Sequence, residues 1–160
     1  NKGFSLVELI IVIAIIGIVM AIASPSFYKY RQNTNLKEAT RNLSGDISLY
    51  RQTAIAQNVR YRIVFNQPAN TYTIQRENPA NSGTYVNVTA KSPALVSSSV
   101  TIMGGANSPS FSGGTAYVTI QPRGTMSAGT VSLLHTGRLS TSTITTNLMG
   151  KVNVAYDLKY

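Results

Sequence analysis

One segment constrains the chain more than any other. Phe4–Ala23 reads FSLVELIIVIAIIGIVMAIA, 20 residues that are apolar except for Ser5 and Glu8. As a helix rising about 1.5 Å per residue it reaches about 30 Å, the thickness of a bilayer core. A segment this apolar on every side has no polar face to turn to water, so it needs lipid or other apolar helices around it. A cleavable secretory signal is the rival reading, and Ala21-x-Ala23 before Ser24 resembles its small-residue cleavage site. The run is longer than the roughly 7–15 residues of such a signal and carries Glu8 near its start, which favours a retained anchor.

The residues beyond it extend the same element. Leu36, Ala39, Leu43, Ile47, Tyr50 and Ala54 recur at spacings of three and four, one stripe of an amphipathic helix. Lys37, Glu38, Arg41, Asp46 and Arg51 fall largely off that stripe. Gly17 and Pro25 weaken a helix locally without having to end it. The spacing therefore predicts one helix over 4–57, apolar all round in its first half and one-sided in its second. A carboxylate inside an apolar span is costly unless paired, which marks Glu8 as functional. The alternative is that Glu8 snorkels to the interface. Lys2 on one flank and Lys29 and Arg31 on the other give little charge asymmetry from which to read orientation.

Gly3-Phe4-Ser5-Leu6-Val7-Glu8-Leu9 resembles the processing signature of type IV prepilins and type II secretion pseudopilins. Gly17 and Pro25 also stand where that family tends to have them. The resemblance implies a type IV pilin-like α+β fold, a long N-terminal helix packed on a C-terminal antiparallel β domain. It implies a prepilin peptidase that cuts after Gly3 and methylates the amine of Phe4, and a pairing of Glu8 with the amine of a neighbouring subunit during assembly. The expected divisions are a residual leader at 1–3, a transmembrane and assembly helix at 4–24, its amphipathic continuation at 25–57 and a β-rich domain at 58–160. The implied partners are other pilin subunits in a helical filament and the inner membrane before assembly. The implied location is that membrane, then a periplasmic or extracellular filament.

After Gln57 the hydrophobic period becomes two. Val59, Tyr61, Ile63 and Phe65 alternate with Arg60, Arg62, Val64 and Asn66, and Gln67-Pro68-Ala69-Asn70 turns the chain toward Tyr72 and Ile74. Further strand-like runs are expected at 84–88, 94–103, 116–121, 130–135 and 152–158. In the last, Val152, Val154, Tyr156 and Leu158 share one face. Stretches 78–83 and 104–114 read as loops. One half-buried sheet packed on the helical stripe would bury both apolar faces. The order Arg51-x-x-Ala54-Ile55, Ile120-x-Pro122-x-Gly124, Gly129-Thr130-Val131-Ser132-Leu133 and Gly137-Arg138 is similar to the H-type minor pseudopilins, the GspH and FimT group. That resemblance implies a minor subunit at a filament tip that primes assembly; a major shaft role stays open.

The chain has 160 residues, no cysteine and one histidine. Disulfides and thiolate metal sites are therefore excluded. His135 shares a face with Val131 and Leu133 and is expected to be partly buried or at a strand edge. Outside the anchor the acids are Glu38, Asp46, Glu77 and Asp157, without metal-ligand spacing, so neither an enzyme nor a cofactor is expected. The formal net charge of +9 admits polyanions as partners. Within the resembled group, some minor pilins take up DNA through Gly-Arg-x-Arg. Here Gly137-Arg138-Leu139-Ser140 lacks the second Arg, while Arg60, Arg62, Arg123 and Lys151 remain candidates for a phosphate-binding patch. Solvated strand-face charges are the favoured reading of these residues, with weak DNA binding as the alternative.

Overall fold

The computed structural model describes residues 5–104, 109–111 and 116–159. Its first element, α1, spans Leu6–Gln57, 52 residues. Ser5 caps it by accepting the Val7 N–H at 3.2 Å. Asn58, at φ 54°, closes it in the left-handed conformation, its N–H directed at the Ala54 and Ile55 carbonyls. The helix passes through positions 17 and 25 unbroken, as the sequence reading expects. Leu36, Ala39, Leu43, Ile47 and Ala54 are buried and Tyr50 is half-buried, so the stripe faces the β domain.

Among the described residues nine strands follow: β1 (Tyr61–Asn66), β2 (Thr71–Glu77), β3 (Tyr85–Lys91), β4 (Val100–Ile102), β5 (Ser110–Phe111), β6 (Tyr117–Ile120), β7 (Gly129–His135), β8 (Ser140–Thr146) and β9 (Val152–Asp157). They form two antiparallel sheets where the sequence reading expects one. The first has the order β3-β2-β1-β6; the second runs β4-β7-β8-β9, with β5 also paired to β7. The alternation of β1 and β2 sets the first sheet's register, with Ile63 opposite Ile74 and Phe65 opposite Tyr72. In the second, Val131 stands opposite Ile144. Both sheets pack on α1, and Leu36, Leu43, Ile47, Ile63, Ile74, Ile120, Leu133 and Ile144 are fully enclosed between them. Each such side chain contributes about 1.5–3 kcal/mol by leaving water.

Four local expectations change. The run 94–103 is a single 3₁₀ turn, Pro93–Leu95, followed by the short strand β4. Pro93 removes a backbone donor and opens the turn. Within the stretch 104–114, Ser110–Phe111 forms β5, and Phe111 is buried against Phe65, ring centroids 5.7 Å apart. Gly129 permits this, because a Cβ there would collide with the backbone of Ser110 and Phe111. Residues 105–108 and 112–115 lie outside the described residues. On β9, Val154 and Tyr156 are exposed, since the strand forms the sheet's edge and only Val152 and Leu158 reach the core. Finally, β8 has no counterpart in the sequence reading. It is STSTITT, whose inward residues Ser140, Ser142, Ile144 and Thr146 are nearly all polar.

The hydroxyls of β8 find partners on the helix and its surroundings. Ser140 donates to Asn33 Oδ1 at 2.9 Å, and the Ser142 and Thr40 hydroxyls lie 2.6 Å apart. Thr146 donates to the Ser127 carbonyl at 2.8 Å. Buried hydroxyls paired in this way avoid the desolvation penalty that would otherwise exclude them.

Candidate functional site

The exposed half of α1 is one candidate surface. Leu6–Ser24 is a span of 19 residues with a mean hydropathy of 3.1, and none of it packs against the domain. Glu8 sits in the first helical turn, where a carboxylate complements the partial positive charge of the N-terminus. Among the described residues it forms no ion pair. Gly17 leaves open space, since a Cβ there would meet no atom of the described residues within 4 Å. Gly3 and Phe4 lie outside the described residues, as does the Pro25 side chain.

The five basic candidates do not form one patch. Arg60 and Arg123 line a cleft of about 450 Å³ together with Asn58, Asn81 and Gln121, at the C-terminal end of α1. Lys151 belongs to the same end, because Gly150 packs on the Gly124 carbonyl and the Arg51 guanidinium. Arg51 is a fourth cation here; its Nε donates to the Gly124 carbonyl at 2.7 Å. Arg138 lies at the other end of β8, a seven-residue strand about 20 Å long. Arg62 is on the outer face of the first sheet, its guanidinium 4.0 Å from the Tyr85 ring centroid and 5.5 Å from that of Tyr117.

These side chains also have structural employment. Arg60 donates to Gln121 Oε1 at 2.8 Å and meets Glu77 Oε1 at 3.4 Å. Glu77 is buried and accepts the Gly83 N–H at 2.8 Å. Burial pushes its carboxyl upward, but the Gly83 and Asn81 backbone N–H groups and Arg60 outweigh that and hold it below the usual range. Arg138 is half-buried, and its Nη2 donates to the Lys159 carbonyl at 2.6 Å, which ties the segment after β9 to the turn before β8.

Two further groups differ from expectation. His135 is fully buried on β7 rather than at an edge, with Nδ1 unpartnered among the described residues, and burial holds its pKa below the ordinary value. Asp46 is buried too, accepting from the Tyr72 hydroxyl at 2.7 Å and from Lys91 Nζ at 2.7 Å. Burial and then the hydrogen bond to Asp46 raise the Tyr72 pKa. The signal for Asp46 was its place beside Ile47, within the width of the apolar stripe. Nothing local pointed to Lys91, which is 45 residues away. Among the described residues no three His, Cys, Asp or Glu side chains gather as a metal set.

A model of the prokaryotic N-terminal methylation motif matches residues 1–24. A second, described as type II transport protein GspH, matches residues 39–150, more than half of the chain. The chain belongs to the GspH family. The type IV major pilin protein PilA of Myxococcus xanthus is 54% identical over 43 residues, which is 27% of this chain and 20% of that protein. The curated relatives of this GspH-family chain are thus matched over well under two thirds of their length. Among solved structures, the minor pseudopilin EpsH from the type 2 secretion system of Vibrio cholerae aligns with TM-score 0.57 at 10% identity, covering 76% of this chain and 97% of that one. The type IV minor pilin FimU of Pseudomonas aeruginosa aligns with TM-score 0.57 at 11% identity, covering 81% and 98%. These likenesses show a pilin and pseudopilin fold, a long apolar N-terminal helix on antiparallel sheets.

Proposed function

We propose that this GspH-family chain is a structural subunit of a type IV pilus-like filament or type II secretion pseudopilus, held in the bacterial inner membrane before it joins a periplasmic or extracellular filament. The observation that carries this is the uncovered span Leu6–Ser24, apolar on every side and carrying Glu8. A single domain cannot cover such a surface. Lipid covers it in the membrane, and the spans of other subunits cover it in a filament. Prepilin peptidase cuts between Gly3 and Phe4, and methylation of the Phe4 amine follows. Glu8 then pairs with the amine of a neighbour, since an unpaired carboxylate among packed apolar helices costs several kcal/mol. The likeness to EpsH and FimU supports a minor subunit at the tip that primes assembly over a shaft role.

A DNA-receptor role ranks second. The Arg60, Arg123 and Lys151 end of the domain favours it, but Arg138 is engaged with Lys159 and lacks a second Arg beside it.

The test is Glu8→Val in cells. The span becomes more apolar, so membrane insertion persists, while incorporation into filaments, or their initiation, is lost. Wild-type incorporation by this variant overturns the pairing role.

A further inference from the structure

The end of the domain farthest from the span carries an exposed apolar pair on a rigid base. From Ser24 to Gln57 the helix runs about 50 Å, so this end stands clear of any bilayer that holds Leu6–Ser24. The β8–β9 turn, Asn147-Leu148-Met149-Gly150, closes here with the Gly150 N–H on the Asn147 carbonyl at 3.0 Å. Turns ordinarily take Gly, Pro, Asn, Asp or Ser. The two central residues of this one are large and apolar, Leu148 65% and Met149 83% exposed. The fold holds them out. Gly150, at φ 79°, packs so closely on the Gly124 carbonyl and the Arg51 guanidinium that a Cβ would collide, and a Cβ on Gly124 would press on Ile55. The Met126 N–H reaches the Leu148 carbonyl at 3.4 Å. The end of α1, the turn at Gln121–Gly124 and the β8–β9 turn are thus one unit, with Ile55 itself 47% exposed.

The exposed charge of this unit has one sign. Arg123 and Lys151 are exposed, and among the described residues neither has a carboxylate at ion-pair distance. Glu77, which meets Arg60, is itself buried. Apolar side chains among unpaired cations mark a contact with a protein of opposite charge. A second copy does not supply one. Its acids outside the span are Glu38, Asp46, Glu77 and Asp157. Asp46 and Glu77 are buried, Asp157 is paired with Lys159 at 2.9 Å, and Glu38 shares a hollow with Lys37 and Arg41. Nucleic acid is the poorer match too, because phosphate contacts make no use of Leu148 and Met149.

We propose that this end docks an acidic surface of a different protein, which sets apolar side chains against Leu148 and Met149 and carboxylates against Arg123 and Lys151. The inference rests on the filament-subunit reading for the direction this end faces, away from the membrane. It adds to that reading the chemistry of the neighbour met there. Arg51 is not part of the contact; it holds the Gly124 carbonyl and with it the base of the turn.

The experiment titrates the full chain in phosphatidylcholine nanodiscs at physiological salt, with empty discs as the blank. The probes are an amphipathic peptide of glutamate and leucine, the same peptide with serine for every leucine, and duplex DNA. The glutamate–leucine peptide is expected to bind about tenfold more tightly than either of the others, from partial burial of the apolar pair. Leu148→Ser combined with Met149→Ser should remove that advantage. Arg123→Gln combined with Lys151→Gln should weaken the same peptide by about fivefold, as two exposed ion pairs supply. All four side chains are exposed, so the melting temperature should stay that of the parent chain. Equal binding of the two peptides overturns the apolar contact, and DNA as the tightest probe overturns the protein partner in favour of nucleic acid. No binding of any probe overturns the surface altogether. Glu8→Val, which tests the filament reading, should leave peptide binding unchanged, so the two failures are told apart.

Discussion

The Ser142 hydroxyl donates to Thr40 across 2.6 Å, because the Thr40 proton is already given to the Leu36 carbonyl at 2.7 Å. This relay joins the centre of β8 to the helix stripe, and both side chains are fully buried. Thr40→Val is expected to cost about 1–3 kcal/mol, since the Ser142 hydroxyl loses its acceptor without regaining water. Ser142→Ala in that background should recover part of the loss. A double-mutant cycle by chemical denaturation measures the coupling, and additive costs would refute the relay.

Removing residues 1–24 should leave a cooperatively folding protein. None of Leu6–Ser24 packs on the domain, whereas the stripe from Leu36 to Ala54 keeps its sheets. Thermal unfolding of the shortened chain should be a single transition, and a broad, non-cooperative melt would mean that the core needs neighbouring subunits.

Arg138→Ala should loosen the segment that follows β9. The Lys159 carbonyl accepts from both Arg138 and Asn33 and its N–H donates to the Ser140 hydroxyl, so one of three side-chain hydrogen bonds on that backbone is lost. About 1 kcal/mol is expected for a partly exposed charged donor, with faster amide exchange at Leu158 and Lys159. Duplex DNA should bind the domain weakly at low salt and not near physiological salt, with little change on this substitution. Micromolar binding at physiological salt that the substitution abolishes would promote the receptor role.

His135 should make stability depend on pH in mildly acidic solution. Burial first, and then the nearby Arg138 charge, depress its folded-state pKa, against a favourable backbone hydrogen bond. The unfolded chain therefore binds the proton more readily. The sign follows: stability is full above the unfolded value of about 6.5 and falls as pH drops toward the folded value. Denaturant midpoints at pH 7.5 and 5 should differ for the native chain and converge for His135→Leu. A native chain with equal midpoints contradicts this.

The helix and the first hairpin were legible in the residues because their signal is local. The apolar run through Ile22, the stripe from Leu36 to Ala54 and the alternation from Val59 to Phe65 each repeat within a few residues, and periodic burial follows from periodic hydropathy. The motif around Phe4 and Glu8 was legible for the same reason, as a short pattern of fixed spacing. The strand β8 was not. Serine and threonine carry no hydropathy period, and what buries them is a set of hydrogen-bond partners far away in sequence, Thr40 being 102 residues from Ser142. The same distance hides the fate of the charges. Whether Arg138 faces solvent or holds Lys159, and whether Asp46 is solvated or sealed under Tyr72 and Lys91, depends on which chain segments fold over them. Tertiary contact also divides the strands into two sheets, because α1 offers β8 both an apolar stripe and the polar partners Asn33 and Thr40 along one face.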